Sequence, residues 1–322
     1  MRVLTEAHYF SPEFVSEFEK NFKLRLVVTE RATTQELLRD ALSHFQDYDL
    51  MVVPSFALKS FLIENLFSPL ESNITRQFAN VSIDFQHLDF DPDNRFLMPL
   101  SWSITGFLVN SKTVSIKDET LGEVLQAKHS AVGGKPMAIG LLDSPVELFS
   151  LVSKLKPVLK NWVETDQADS IAEALKELRK KNIVLVSDPR EQLKAGTLEL
   201  AQIQQGRAAH LVGGSSAYRF VLPKERGTLK ISFVGVSRSA KDRTLAQNVV
   251  DILLRPAWNK KLVEQNEEAA VVTTLNDSDL PLMQKPRFIR EVPLSRVDLF
   301  ILHEALEPTW LQALSKEFKA AK

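Results

Sequence analysis

The run Asp49-Leu50-Met51-Val52-Val53-Pro54 constrains this chain more than any other segment. Four consecutive apolar residues with no polar alternation fit a strand buried on both faces, and proline stops the run where a further ladder bond would be needed. What precedes it supplies the covering layers. Apolar residues recur at helical spacing from Phe14 to Phe22, with Pro12 near the start, where a missing N–H costs little. Leu24 to Val28 reads as a strand. Thr33-Thr34-Gln35-Glu36 reads as an N-cap opening a helix through Leu42. Strand and helix signals alternating in this way predict an open α/β sheet with crossover connections.

The alternation continues along the chain. Leu97 to Asn110 is β-prone, interrupted by Pro99 and Gly106. Strands are expected at Pro136–Leu142, Ile183–Val186, Ala208–Val212 and Lys230–Val236. Helices are expected at Val146–Lys156, Ile171–Lys180, Glu199–Gln205 and Thr244–Leu254, and in the C-terminal stretches Val297–Leu306 and Trp310–Phe318. With 322 residues, the chain is long enough for two cores. Extended segments near residues 110 and 230 then divide it into two discontinuous lobes, 1–109 plus 232–280 and 110–231 plus 281–322.

Composition removes several function classes. Lys+Arg of 40 against Asp+Glu of 41 leaves a formal charge of -1, without the basic excess of a nucleic-acid binder. There is no cysteine, so disulfides, thiolate metal sites and a cysteine nucleophile are excluded. The six histidines are scattered without His-x-x-x-His or His-Glu-x-x-His spacing, and no metal or cofactor is expected. No Gly-x-Ser-x-Gly elbow offers a serine nucleophile, and Gly133-Gly134-Lys135 lacks the spacing of a phosphate-binding loop. No stretch approaches ~18 apolar residues, so no transmembrane segment is expected. Met1 to Ala7 contains no apolar leader.

The order of several short motifs resembles the periplasmic spermidine/putrescine-binding proteins of the extracellular solute-binding superfamily. Tyr9-Phe10-Ser11-Pro12 leading to Phe18-Glu19-Lys20 is similar to the family's Tyr-Ile-x-Pro and Phe-Glu-Lys helix. Tyr48 to Ser55 resembles its Tyr-Asp-Leu-Val-Val-Pro-Ser strand end, and Leu66-Phe67-Ser68-Pro69-Leu70 resembles the Leu-Leu-x-Pro-Leu that follows. Asp91-Pro92-Asp93-Asn94 with Met98-Pro99-Leu100-Ser101-Trp102-Ser103-Ile104-Thr105-Gly106 resembles its Asp-Pro-x-Asn…Pro-Tyr-x-Trp-Gly-x-Thr-Gly run. Gln205-Gly206 to Tyr218 and Ile252-Leu253-Leu254-Arg255-Pro256 fall in the same order.

The resemblance implies an α/β periplasmic-binding-protein fold of type II, two lobes with a ligand cleft between them, closing around a small polar solute. It further implies a periplasmic or extracellular monomer whose leader is absent from this sequence, serving a membrane permease of the ABC importer type or a sensor. Carried over residue by residue, it places Tyr9 and Ser55 on the ligand in the first lobe, with Glu6 where the family has a tryptophan and Phe56 following Ser55. Trp102 reads as a cleft residue or as a packed ring at the lobe junction. Asp143-Ser144-Pro145-Val146-Glu147 resembles the family's Asp-Asp-x-x-Glu turn, keeping Glu147 and putting Ser144 in place of the second acid. Val212-Gly213-Gly214-Ser215 stands for Trp-Asn-Gly-Ser, and Lys230-Ile231-Ser232 stands for Trp-x-Asp.

Family contacts are aromatic rings around methylenes and carboxylates on ammonium groups. Replacement of the central acid by Ser232, with Lys230 beside it, weighs against a polyamine and toward another small polar or anionic solute. Read without the resemblance, Glu6 and Glu147 are more simply solvated surface carboxylates. Gly214 and Ser215 form either a turn or, if a helix starts at Ser216, a backbone cradle for an anion. A sensor on the same fold, and an enzyme on a two-lobed scaffold, remain the other function classes; the second needs convergent acid and base groups that the sequence lacks.

Overall fold

The computed structural model describes residues 1–71, 76–126, 138–155, 178, 182–273 and 297–299. From the N-terminus, β1 (Arg2–Glu6), α1 (Pro12–Phe22), β2 (Val27–Arg31), α2 (Thr34–His44), β3 (Leu50–Pro54) and α3 (Leu58–Ile63) lead to the long strand β4 (Leu97–Asn110). The short α4 (Leu121–Val124) precedes β5 (Ile139–Leu142), α5 (Pro145–Leu155), β6 (Ile183–Val186), α6 (Arg190–Lys194) and β7 (Leu200–Gln204). Next come α7 (Gln205–Gly214), β8 (Tyr218–Val221), β9 (Gly227–Val236), α8 (Arg243–Leu253), α9 (Pro256–Asn266), β10 (Ala269–Ala270) and β11 (Val297–Leu299).

The chain divides into two compact units, Met1–Ser103 with Lys230–Val292 and Ile104–Leu229 with Pro293–Lys322. Strands β4 and β9 each pass from one unit into the other.

In unit 1 the strand order is β2-β1-β3-β9, with β1 parallel to β2 and β3 and with β9 antiparallel to β3. The run Leu50 to Pro54 is buried throughout, as a strand flanked on both sides and covered on both faces must be. Ser11 caps α1 by accepting from the Phe14 N–H at 3.1 Å, and Pro12 follows at the first helical position. That start sets Phe14, Phe18 and Phe22 on one face, and all three rings meet Trp258 of α9 at centroid distances of 5.6, 5.5 and 5.1 Å. The four-ring cluster fixes two helices on one core.

In unit 2 the order is β4-β7-β5-β6, with β7 antiparallel to β4 and parallel to β5. Strand β8 pairs with β4 from Phe107 to Asn110. Gly106 does not interrupt β4, which runs unbroken for 14 residues. A Cβ there would stand 2.7 Å from the Val221 carbonyl oxygen, so only glycine admits β8 at that distance.

Two expectations are reversed between residues 199 and 214. Leu200–Gln204 is a strand and Gln205–Gly214 a helix, where the sequence suggested helix then strand. Leu200, Ala201 and Ile203 are buried on both faces of a central strand, while Ala208, Ala209 and Leu211 lie on one helical face, and runs this short carry both periods equally well. The expected helix from Val297 opens as a strand pairing in parallel with Gly227–Leu229. The expected helices at Ile171–Lys180, apart from helical Leu178, and at Trp310–Phe318 lie outside the described residues.

Candidate functional site: a buried polar cluster in each unit

In unit 1, polar groups converge beyond the carboxyl ends of β1 and β3, the end of a parallel sheet at which α/β proteins bind ligands. The Tyr9 hydroxyl lies 2.8 Å from Ser101 Oγ, with Ser232 close by. Ser101 in turn donates to Glu268 Oε2, while Glu268 Oε1 takes the Lys230 ammonium at 2.6 Å. Tyr9, Ser101, Ser232 and Glu268 are all buried, at 6, 0, 2 and 7 % exposure.

Local structure explains each placement. His8 adopts a left-handed conformation (φ 65°) held by its N–H on Glu30 Oε1 at 3.0 Å, and this turn after β1 sends the Tyr9 side chain into the unit's core. Helix α9 is capped by Glu267, also left-handed (φ 55°), and Glu268 N–H closes the turn on the Val263 carbonyl at 2.9 Å. The chain then pairs Ala269 with Trp102 and Ala270 with Ser101, which brings the Glu268 carboxylate to Ser101. Burial, reinforced by the nearby Glu268 charge, pushes the Tyr9 phenol well above its ordinary value, so it stays a neutral hydroxyl at any physiological pH.

The other unit 1 candidates take supporting positions. Glu6, half-buried, accepts from Thr34 Oγ1 at 2.6 Å. Ser55 fastens the end of β3 to β9, donating its N–H to the Ile231 carbonyl at 2.8 Å and accepting the Ile231 N–H on its hydroxyl. Phe56 is buried beside it. Trp102 is 1 % exposed, lies tilted against Phe85 at a centroid distance of 6.1 Å and donates to the Ala270 carbonyl at 2.9 Å, so its ring belongs to the core of unit 1.

In unit 2, Glu147 sits in the first turn of α5 at 6 % exposure. Ser144 accepts the Glu147 N–H at 3.4 Å, and Thr105 donates to Glu147 Oε1 at 2.8 Å. A carboxylate at a helix start is favoured by the helix dipole. One turn on, Ser150 shares a hydrogen bond with Thr228 at 2.7 Å, and Lys154 donates to the same Thr228 hydroxyl at 2.7 Å. Gly214 and Ser215 lie at the C-terminal end of α7, not before a helix start. Carbonyls rather than N–H groups are unpaired at such an end, so the anion cradle considered for them is not formed.

The sequence reading missed Glu268, Ser101 and Thr105. Two of them stand beside candidates, Ser101 next to Trp102 and Glu268 diagonally across a strand pair, and only the β4–β10 register reveals the second. Among the described residues there is no group of three side chains suited to a metal ion, and no helix long and apolar enough to cross a membrane.

No family model matches the chain. It is 23 % identical over 262 residues to the spermidine/putrescine-binding periplasmic protein of Salmonella typhimurium, covering 80 % of this chain and 73 % of that protein. The corresponding Escherichia coli protein is 24 % identical over 260 residues with the same coverage. Among solved structures, a spermidine/putrescine ABC transporter protein of Listeria monocytogenes, described as putative, superposes with a TM-score of 0.79 at 18 % identity, covering 100 % of this chain and 99 % of that one. The PotD substrate-binding protein of Streptococcus pneumoniae superposes with a TM-score of 0.76 at 17 % identity, covering 99 % and 98 %. The fold is that of the two-lobed periplasmic binding proteins, and the curated relatives are polyamine-binding components of that class.

Proposed function

We propose that this chain is the solute-binding component of an ABC-type importer and that its solute is a polyamine or a closely related aliphatic amine. The observation that carries the reading is Glu147: a buried carboxylate on a helix start, oriented by Thr105, in a chain whose relatives along 80 % of its length bind spermidine and putrescine. A carboxylate in a solute-binding protein repels an anion and attracts an ammonium group, which carries the complementary charge and N–H donors. The substitutions of Lys230 and Ser232, which on sequence grounds weigh against a polyamine, change one cluster in unit 1 and leave Glu147 intact. The relatives outweigh them.

In this role the protein catalyses nothing. It acts as a periplasmic or extracellular monomer, and its partner is a membrane permease that reads out ligand-induced closure. Isothermal titration with putrescine, spermidine, amino acids, sugars and organic acids tests the reading. Saturable binding of an amine, lost on Glu147→Gln, supports it; binding of a solute from another class with no response to amines overturns it.

A further inference from the structure

We infer that Glu268, Ser101 and Tyr9 form an ammonium-binding site that the chain fills with its own Lys230, so that Lys230 limits the number of positive charges an incoming solute can place in unit 1. The inference deepens the proposed function and rests on an amine being the solute.

The cluster has the form of a receptor more than of a structural brace. One carboxylate oxygen of Glu268 is fixed by Ser101, whose hydroxyl is itself in contact with Tyr9, and the other oxygen faces the ammonium at 2.6 Å. The acid lies at the bottom and the cation toward solvent: Glu268 keeps 8 % of its side-chain surface and Lys230 keeps 22 %. A buried pair of this kind adds little net stability, because desolvating the carboxylate offsets most of the attraction. The position beyond β1 and β3 is where solute binding is expected in such a sheet. Lysine is suited to the part of an occupant, since its charge rides on a flexible four-carbon stem with no fixed geometry. With Lys230 in place the pair is formally neutral. A further solute ammonium must displace Lys230 to reach Glu268, so a diamine is favoured over a triamine.

The test uses amine rescue in the full-length protein. Lys230→Ala deletes three methylenes and the ammonium, and n-propylammonium replaces those atoms. It is expected to raise the melting temperature of Lys230→Ala by several degrees at tens of millimolar, while leaving the unmodified protein and the double variant Lys230→Ala/Glu268→Gln unchanged. Equal responses in Lys230→Ala and the double variant would overturn the inference. If Lys230→Ala does not fold, Lys230→Met keeps a stem of the same four-atom length, and the ammonium ion, which replaces the one deleted group, serves in the same comparison with Lys230→Met/Glu268→Gln.

Titration of Lys230→Met with putrescine and spermidine supplies the second readout. Its preference is expected to move toward spermidine by on the order of ten-fold, and an unmoved ratio counts against the inference. Rescue by the small amine in a protein that binds no polyamine would sink the proposed solute and leave the ammonium site standing. Polyamine binding without rescue, and with an unmoved ratio, would sink the site and leave the proposed function.

Discussion

Thr105 and Glu147 are 42 residues apart in sequence and 2.8 Å apart in space, the threonine hydroxyl donating to a carboxylate oxygen that helix α5 presents at its first turn. Thr105 lies on β4 just inside unit 2, so the strand that enters this unit also aims its buried acid. Glu147→Gln keeps the shape and removes the charge. The expected effect is a loss of about ten- to a hundred-fold in amine affinity, the range of one charge-assisted hydrogen bond, with the fold retained. Thr105→Val removes only the orienting donor and should weaken binding less, by about 1 kcal/mol. Calorimetric titration of both variants separates the two contributions, and an inverted order would refute the assignment.

Acid stability should depend on Asp49. Burial pushes this carboxyl up, but the Arg2 guanidinium and backbone N–H, with the Lys241 N–H, outweigh burial and hold it below its ordinary value of 3.8. A depressed acid contributes stability that is whole above its unfolded value and is lost as pH falls through the folded one. Asp49→Asn should therefore cost about 1–3 kcal/mol near neutral pH, with the gap from the unmodified protein closing below pH ~4. Urea denaturation at a series of pH values checks both the sign and the window.

Alkaline titration should distinguish Tyr48 from Tyr9. Burial and the hydrogen bond from its hydroxyl to Asp40, at 2.6 Å, push Tyr48 up to about 12. A raised tyrosine contributes stability that is whole below its unfolded value of about 10 and disappears as pH climbs through the folded one. The tyrosinate absorbance should show Tyr48 ionising near 12 and Tyr9 remaining neutral until the protein unfolds. Tyr48→Phe and Tyr9→Phe assign the steps; a Tyr9 signal in the ordinary range would contradict the buried cluster.

Gly235 is predicted to tolerate no side chain. A Cβ at this position of β9 would stand 2.3 Å from the Phe67 ring, which is itself stacked on Phe61 at 5.9 Å. Gly235→Ala should destabilise the protein by about 1–3 kcal/mol, the usual cost of overpacking, and Phe67→Leu in the same chain should recover part of it. Chemical denaturation of the two single variants and the double variant measures that coupling.

The legible part of this molecule was its long-period pattern. The apolar run at Leu50 gave β3, the Phe14–Phe18–Phe22 spacing gave α1, and Thr33 and Pro12 gave helix starts within one or two residues of those observed. The motif order is that of the spermidine/putrescine-binding relatives. What was not legible depended on register. Nothing near Glu268 in sequence marks it as a partner of Ser101, since their contact exists only because two residues of β10 lie against β4. The reversal at residues 199–214 has a different cause. Four or five apolar residues fit a strand or a helical turn equally, and burial between β4 and β5 decides the matter. The single substitutions at Lys230 and Ser232 weigh against a polyamine, whereas similarity to the spermidine/putrescine-binding relative extends over 80 % of the chain.

The passage of β9 from unit 2 back into unit 1 has a consequence for synthesis. Strands β1, β2 and β3 leave the ribosome early, but the strand that lines the open edge of β3 starts only at Ser232, more than a hundred residues after Ser103. For all that time the β3 edge offers unpaired backbone groups to any strand nearby. Unit 2, by contrast, has β4, β5, β6, β7 and β8 in hand before β9 emerges. The second unit in sequence is thus the first whose central sheet can assemble, and the N-terminal third of the chain must stay competent, unfinished and unaggregated until it does.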